Sequence, residues 1–390
     1  MSEKFDFGKK TERLNTDCVK WDIFEEGVLP MWVADMDFEV APSIKEALSR
    51  RVETGIFGYQ IVPDEFYSSY ISWWKRRHGF EMEKDWIIYS QGVVASISAA
   101  VRRLTEIGNY VVVMSPVYNV FYNSILNNGR RVLATDLVYE NGEYSLDFDD
   151  LEKKLSLEET SLLILCNPHN PIGKIWTREE LKRIGELCCR YNVTVISDEI
   201  HCDIVTPGKK VIPFASVNDI NRQISVTCLS PTKCFNIAGL HTSCVVIPDQ
   251  RLRHLVDRGL NTSEVAEPNS FSIDASIAAF DGGEEWLDQM NEYVYENKKY
   301  VYSYIEENIP RLKVVKGDAT YLMWVDISDV EEDSVKFVNY LLENDKVRFN
   351  DGYEYGTNGK SFIRINVATQ RERVVEGMKR LKAGVDSYTK

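Results

Sequence analysis

LLILCNPHNPIG, residues 162–173, and VTVISDEIHCD, residues 193–203, decide the fold. Each opens on a short, continuous apolar run, Leu162–Cys166 and Val193–Ile196, and then turns abruptly polar. Between them, Arg178–Cys189 carries a helical apolar pattern. Strand, helix, strand, with both strands apolar throughout, predicts parallel strands buried on both faces. The same alternation extends outward. Further runs lie at Trp86–Tyr89, Tyr110–Met114, Ile224–Leu229 and Cys244–Ile247, and a helical pattern at Val94–Leu104. The fold class is therefore α/β, built on a mainly parallel sheet covered on both faces.

Beyond this block the pattern changes. Residues 1–38 have little periodicity and two aromatic-rich patches, Trp21–Phe24 and Met31–Phe38, and read as an arm lying across other structure. A helix is predicted after Pro42, with Ile44, Ala47, Leu48 and Val52 on one face. Another spans Asp64–Arg77, with Asp64 as its N-cap. The last third holds a long helix, Glu284–Glu307, then two alternating strands, Tyr321–Ile327 and Phe362–Val367. The helix Ser334–Glu343 lies between those strands, and another helix closes the chain. This predicts three units: 1–45, an arm with part of a smaller domain; 46–280, the large domain; 281–390, the small α+β domain.

With 390 residues, 44% of them hydrophobic and 27% charged, the chain can bury a large core. The charge sum is 46 − 60 = −14, which argues against a general nucleic-acid binder or a protein held on anionic lipid. No stretch approaches the ~20 apolar residues of a membrane span, and Met1–Lys10 lacks the apolar run of a signal peptide. Eight scattered cysteines form no C-x-x-C pair. A cytoplasmic protein with reduced core cysteines and no metal site is the expectation.

In an open α/β sheet, ligands bind beyond the carboxyl ends of the strands. The residues there are Ser90–Val94, Ser115–Tyr118, Asn167–Gly173, Ser197–His201 and Ser230–Lys233. Each supplies a different tool. Gly92 followed by a helix start offers backbone N–H groups and a positive dipole end to a phosphate. Ser230 and Thr232 add hydroxyls, and Tyr118 a ring face. Asn170 can hydrogen-bond a phenolate oxygen. Asp198 can keep a proton on a ring nitrogen, and Lys233 can form a Schiff base. Together these are what pyridoxal 5′-phosphate requires. Singly, each also fits a plain role: Lys233 as a solvated amine, Asp198 as a cap, Asn167–Gly173 as a turn. The Asp198, Glu199, His201, Cys202, Asp203 group fits no standard zinc spacing.

The motifs CNPHNPIG (166–173), SDEIHCD (197–203), SPTKCFNIAGL (230–240), LPMWVADMDF (29–38), GVV (92–94) and FIRINVA (362–368) run nearly the whole chain. With them the sequence resembles the fold-type I pyridoxal-phosphate enzymes of the aspartate aminotransferase superfamily, and within these the MalY/PatB-type cystathionine β-lyases, or C–S lyases. The resemblance implies a seven-stranded, mainly parallel sheet in the large domain and a homodimer with shared active sites. It implies that Lys233 carries the cofactor and shuttles the Cα proton. Asp198 would pair with the ring nitrogen, Asn170 would bond the ring oxygen and the substrate carboxylate site, and His201 would support the same ring region. Tyr118 would stack on the ring. Val93, Val94 and Ser230 would hold the phosphate, with Tyr59 reaching it from the neighbouring subunit. Arg364 would clamp the substrate carboxylate, and Val33 and Ala34 would close the site from the arm.

The sequence departs from the pattern in places. Ala95 and Ser96 stand where Pro is common, Cys234 where Thr is usual, and His241 where many related aminotransferases carry a phosphate-binding Arg. The implied activity is β-elimination of L-cystathionine or another cysteine S-conjugate, a small amino-acid substrate, giving pyruvate, ammonia and a thiol. An aminotransferase on the same cofactor, and a regulatory role through protein contacts, are the alternatives.

Overall fold

Seven strands form the main sheet, in the order Ile87–Ser90, Ser243–Val246, Ser225–Leu229, Thr194–Asp198, Thr160–Cys166, Tyr110–Ser115, Arg131–Asp136. In this computed structural model, which describes residues 4–388, neighbours pair in parallel from Ser225–Leu229 through Arg131–Asp136. Ser243–Val246 runs antiparallel to both its neighbours, so Ile87–Ser90 points the same way as the parallel set. All five polar clusters therefore leave strands at one edge. The antiparallel strand enters there, which brings His241 and Thr242 to the same place. The outermost residues of the first and last predicted units, 1–3 and 389–390, lie outside the described residues.

The apolar runs are continuous because both faces are covered. Leu162 and Ile164 pack with Val111, Val113 and Val226 under the helices Val93–Leu104 and Gln250–Thr262. Leu163 and Leu165 pack with Val112 and Val195 under Phe148–Leu155 and Arg178–Arg190. Arg131–Asp136 has no apolar run to betray it. It is an edge strand, mostly half-buried, and its residues include Arg131, Thr135 and Asp136. Two other expectations fail. Asp64 does not cap its helix: Pro63 is the N-cap residue, and Asp64, in the first turn, pairs with Lys84 at 2.6 Å. Val52 is exposed, while Ile44 and Ala47 are buried.

A second, antiparallel sheet has the order Lys313–Val314, Leu322–Asp326, Phe362–Asn366, Asn350–Asp351. Its two long strands are buried at every position and do not alternate in burial. Met323, Val325, Ile363 and Ile365 join a core containing Phe337, Val338, Val374 and Met378, while Trp324 and Phe362 stack against each other in the core of the main sheet. The helix Glu284–Asn308 runs alongside and ties the two parts through a core that includes Met31, Trp73, Phe235, Phe280 and Trp286. The arm adds its own strand, Leu29–Pro30, parallel to Val347–Arg348. Beyond it, Asn366 Nδ2 donates to Val33 O (2.5 Å) and Asp35 O (2.7 Å), and the Asn236 side chain bonds Met36 and Phe38. Among the described residues no helix is long and apolar enough to cross a membrane.

Candidate active site

A cavity of about 500 Å³ opens at the carboxyl edge of the main sheet. Ala34, Val93, Val94, Tyr118, Asn170, Asp198, His201 and Lys233 all line it. At one end the helix Val93–Leu104 begins directly after Gly92, with no side chain capping it. The first amides of this helix are thus free for an anion, and the dipole favours one. Ala95 and Ser96 leave that start in place. Thr232 and Thr242 line the cavity too, and so does His241. Ser230 does not: its Oγ meets Thr232 Oγ1 at 2.7 Å and donates to Thr242 O at 2.7 Å, so it orders the two threonines from behind. Sequence reasoning missed Thr242, because it precedes the one strand that runs backward.

Asp198 ends the Thr194–Asp198 strand, is buried, and accepts from Ile200 N at 3.1 Å. Burial pushes its pKa up to about 7, against the Ile200 N–H and the charge of Lys233. Lys233 Nζ donates to Ala34 O at 2.7 Å. Burial lowers its pKa to about 8; Arg364 adds to this, while Asp35 and Asp198 oppose it. His201 is buried, its Nδ1 has no partner, and burial with the nearby Lys233 and Arg364 lowers its pKa to about 3.

Arg364 does not face solvent from its strand; it is 4% exposed. It donates to Asn170 Oδ1 (3.2 Å), Trp32 O (3.1 Å) and Asn350 Oδ1 (2.8 Å), and its guanidinium lies over the Tyr355 ring. The planar fork is thereby fixed in orientation. Tyr59, by contrast, is 100% exposed and does not line the cavity.

The remaining charges after the strand are engaged elsewhere. Glu199 accepts from Ser197 and from Phe214 N. Asp203 meets His78 Nε2 at 2.9 Å and takes the Trp73 indole N–H. Cys202 is buried, as expected of a reduced core cysteine, and burial holds its thiol protonated.

The family model for class I and II aminotransferases matches residues 27–381. The chain belongs to the class I and II aminotransferase family. Within it, this aminotransferase-family chain is 41% identical to the cystathionine beta-lyase PatB of Bacillus subtilis, over 97% of this chain and 99% of that one. It is 33% identical to Protein MalY of Escherichia coli, over 96% and 97%. Among solved family members, cystalysin from Treponema denticola, which contains pyridoxal 5′-phosphate, superposes with a TM-score of 0.95 at 29% identity, covering 98% of this chain and 99% of that one. A PLP-bound C–S lyase from Staphylococcus hominis superposes at 0.93 with 31% identity, covering 98% and 99%.

Proposed function

We propose that the protein is a pyridoxal 5′-phosphate-dependent C–S β-lyase that cleaves L-cystathionine or a related cysteine S-conjugate to pyruvate, ammonia and a thiol. One observation carries the reading. Asp198, buried without a bonded cation, the half-buried amine of Lys233, and an uncapped helix start converge on a single cavity. The cofactor's chemistry answers each: a basic ring nitrogen for Asp198, an aldehyde carbon for Lys233, a phosphate for the helix amides. The full-length similarity to a B. subtilis cystathionine beta-lyase supports the reaction class.

When bound, pyridoxal phosphate supplies an electron-withdrawing ring that stabilises negative charge at the substrate Cα. The chain's residues do the rest. Asp198 holds a proton at the ring nitrogen, a cationic partner that relieves its buried charge. The Val93 and Val94 amides and Thr232, itself ordered by Ser230, hold the phosphate. Tyr118 covers the ring. Asn170 spends its oxygen on Arg364, which leaves its amide N–H groups for the ring oxygen. His201, a neutral imidazole lining the same cavity, would support the ring region. Arg364 takes the substrate carboxylate, and Ala34 closes the cavity from the arm. Lys233 would hold the cofactor through its amine, and would be freed when a substrate amine takes its place. Its free Nζ then takes the Cα proton, a task suited to an amine whose pKa is near 8. The thiolate would leave Cβ and take a proton to give the thiol, and water would replace nitrogen at the former Cα, giving pyruvate and ammonia.

Tyr59 stands on an exposed apolar stretch with Ile56, Phe57 and Ile61. We place this stretch at a homodimer interface, with Tyr59 reaching the neighbour's phosphate. We place the protein in the cytoplasm, in keeping with eight free cysteines. The deciding experiment incubates cofactor-saturated protein with L-cystathionine and no oxo acid, and reads pyruvate through lactate dehydrogenase. Steady multiple turnover, abolished in Lys233→Ala, is expected. Turnover that needs a 2-oxo acid would instead identify an aminotransferase.

A further inference from the structure

Ala34 O accepts two donors: Lys233 Nζ at 2.7 Å and the Tyr321 hydroxyl at 2.9 Å. Tyr321 is wholly buried, outside every cluster singled out in the sequence. Its position is heavily determined. The preceding residue, Thr320, is β-branched yet has φ +63°, a left-handed conformation such residues seldom adopt. Strain of this kind persists where the surroundings over-determine it.

Those surroundings are specific. Thr320 N donates to Ile204 O at 2.7 Å. The buried Lys298 Nζ donates to the carbonyls of Gly317 (2.9 Å), Ala319 (3.3 Å) and Thr320 (3.2 Å). Ala319 N donates to Gly173 O at 3.0 Å, and the two backbones cross so closely that a Cβ on Gly173 would lie 2.8 Å from Ala319 O. The segment before Tyr321 is therefore locked to the loops that carry Asn170 and His201.

We propose that Tyr321 is a positioning residue for Lys233, sharing the Ala34 carbonyl with its amine and so setting how strongly that carbonyl holds the protonated lysine. This rests on Lys233 being the base that acts at the substrate Cα. An oxygen that serves two donors gives each less than it gives one. Removing the phenol leaves the carbonyl to Lys233, which favours the ammonium, because a hydrogen bond to the charged form raises an amine's pKa. The carbonyl itself stays in place, since Asn366 holds Val33 and Asp35 and Asn236 holds Met36. The other groups that act on Lys233 are Asp35 from the arm, Arg364 from the second sheet, and Asp198 and His201 from the main sheet edge. Tyr321→Phe leaves all four in place.

The test is exchange of the L-alanine Cα proton with solvent deuterium, followed by proton NMR on the cofactor-loaded enzyme across pH. Alanine has no leaving group, so exchange reports the Cα base whether the enzyme is a lyase or a transaminase. Failure of the lyase reading would appear separately, as missing pyruvate from cystathionine. Loss of exchange in Lys233→Ala shows that the exchange depends on that residue. In Tyr321→Phe the limb is expected to move up by about 0.5–1 pH unit, with the alkaline plateau retained. A fluorinated tyrosine in place of Tyr321, a stronger donor of the same shape, is expected to move it down. Retained visible cofactor absorbance and melting temperature show that each variant is folded. A limb that stays in place in both variants, or a uniform loss at every pH, overturns the proposal.

Discussion

Asp37 and Asp198 are both buried carboxylates, and the chain treats them in opposite ways. Asp37, in the arm, meets Lys20 Nζ at 3.0 Å and Arg13 at 2.9 Å, takes the Trp21 indole N–H, and has Arg373 at 3.6 Å. Burial alone would raise its pKa; these partners hold it down, to about 2. Asp198 has one backbone N–H and a neighbouring lysine, and sits near 7. The first carboxylate is satisfied from within and belongs to the fold. The second is left for a ligand, which is how a catalytic site differs from a structural ion pair of the same residue type.

Substitution at each position separates the two roles. Asp198→Asn is expected to lower lyase turnover by about a thousandfold. Its folding free energy in urea should not fall, because no satisfied pair is lost. A large stability loss there would break the contrast. Asp37→Asn should do the reverse: about 3 kcal/mol of stability lost in the same titration, because the buried Lys20 and the half-buried Arg13 keep only Asp35 as a counter-charge. Turnover of the fraction that stays folded should be retained.

The pH dependence sharpens the contrast through its sign. Asp37 has a depressed pKa in the folded chain, so its contribution is present above the unfolded value near 4 and is lost as pH falls toward 2. Asp198 has a raised pKa, so its contribution is present below about 4 and is lost as pH rises through about 7. In protein stripped of cofactor, the melting temperature of Asp198→Asn should therefore decline less than that of wild type between pH 4 and 7. Adding cofactor to wild type should narrow the gap. The smallest effect expected is at a site outside both groups. Thr177 caps the Arg178–Arg190 helix and forms a reciprocal box with Glu180. Thr177→Ala should cost about 1 kcal/mol with turnover unchanged.

The strand-end clusters were legible in the sequence because a parallel strand buried on both faces leaves an unmistakable apolar run, and the chain turns polar where that run ends. Lys233, Asp198, Asn170 and Tyr118 were placed this way, each relative to its own strand. Arg131–Asp136 was not, because an edge strand needs no continuous apolar run. Ser230 and Thr232 read alike in the sequence; in the structure Thr232 lines the cavity, and the Ser230 hydroxyl is bonded to Thr232 Oγ1 and Thr242 O. Tyr321 and Lys298 left no signal. An aromatic at the head of a strand and a lysine on a long helix look ordinary, and their function comes from carbonyls contributed by the arm and by the 317–320 segment.

The sequence by itself determined the alternation of strand and helix, the sheet edge where chemistry collects, and the residue types that meet there, because these follow from local periodicity and chain order. Only the tertiary structure decided which carboxylate is satisfied and which is left for a ligand, that Arg364 turns inward, and that one arm carbonyl serves both Lys233 and Tyr321. Each of these depends on burial and on partners brought together by the fold, from 16 residues apart for Trp21 and Asp37 to 332 for Trp32 and Arg364. The balance between desolvation and pairing, which sets the charge of a buried group, exists only once those partners are in place.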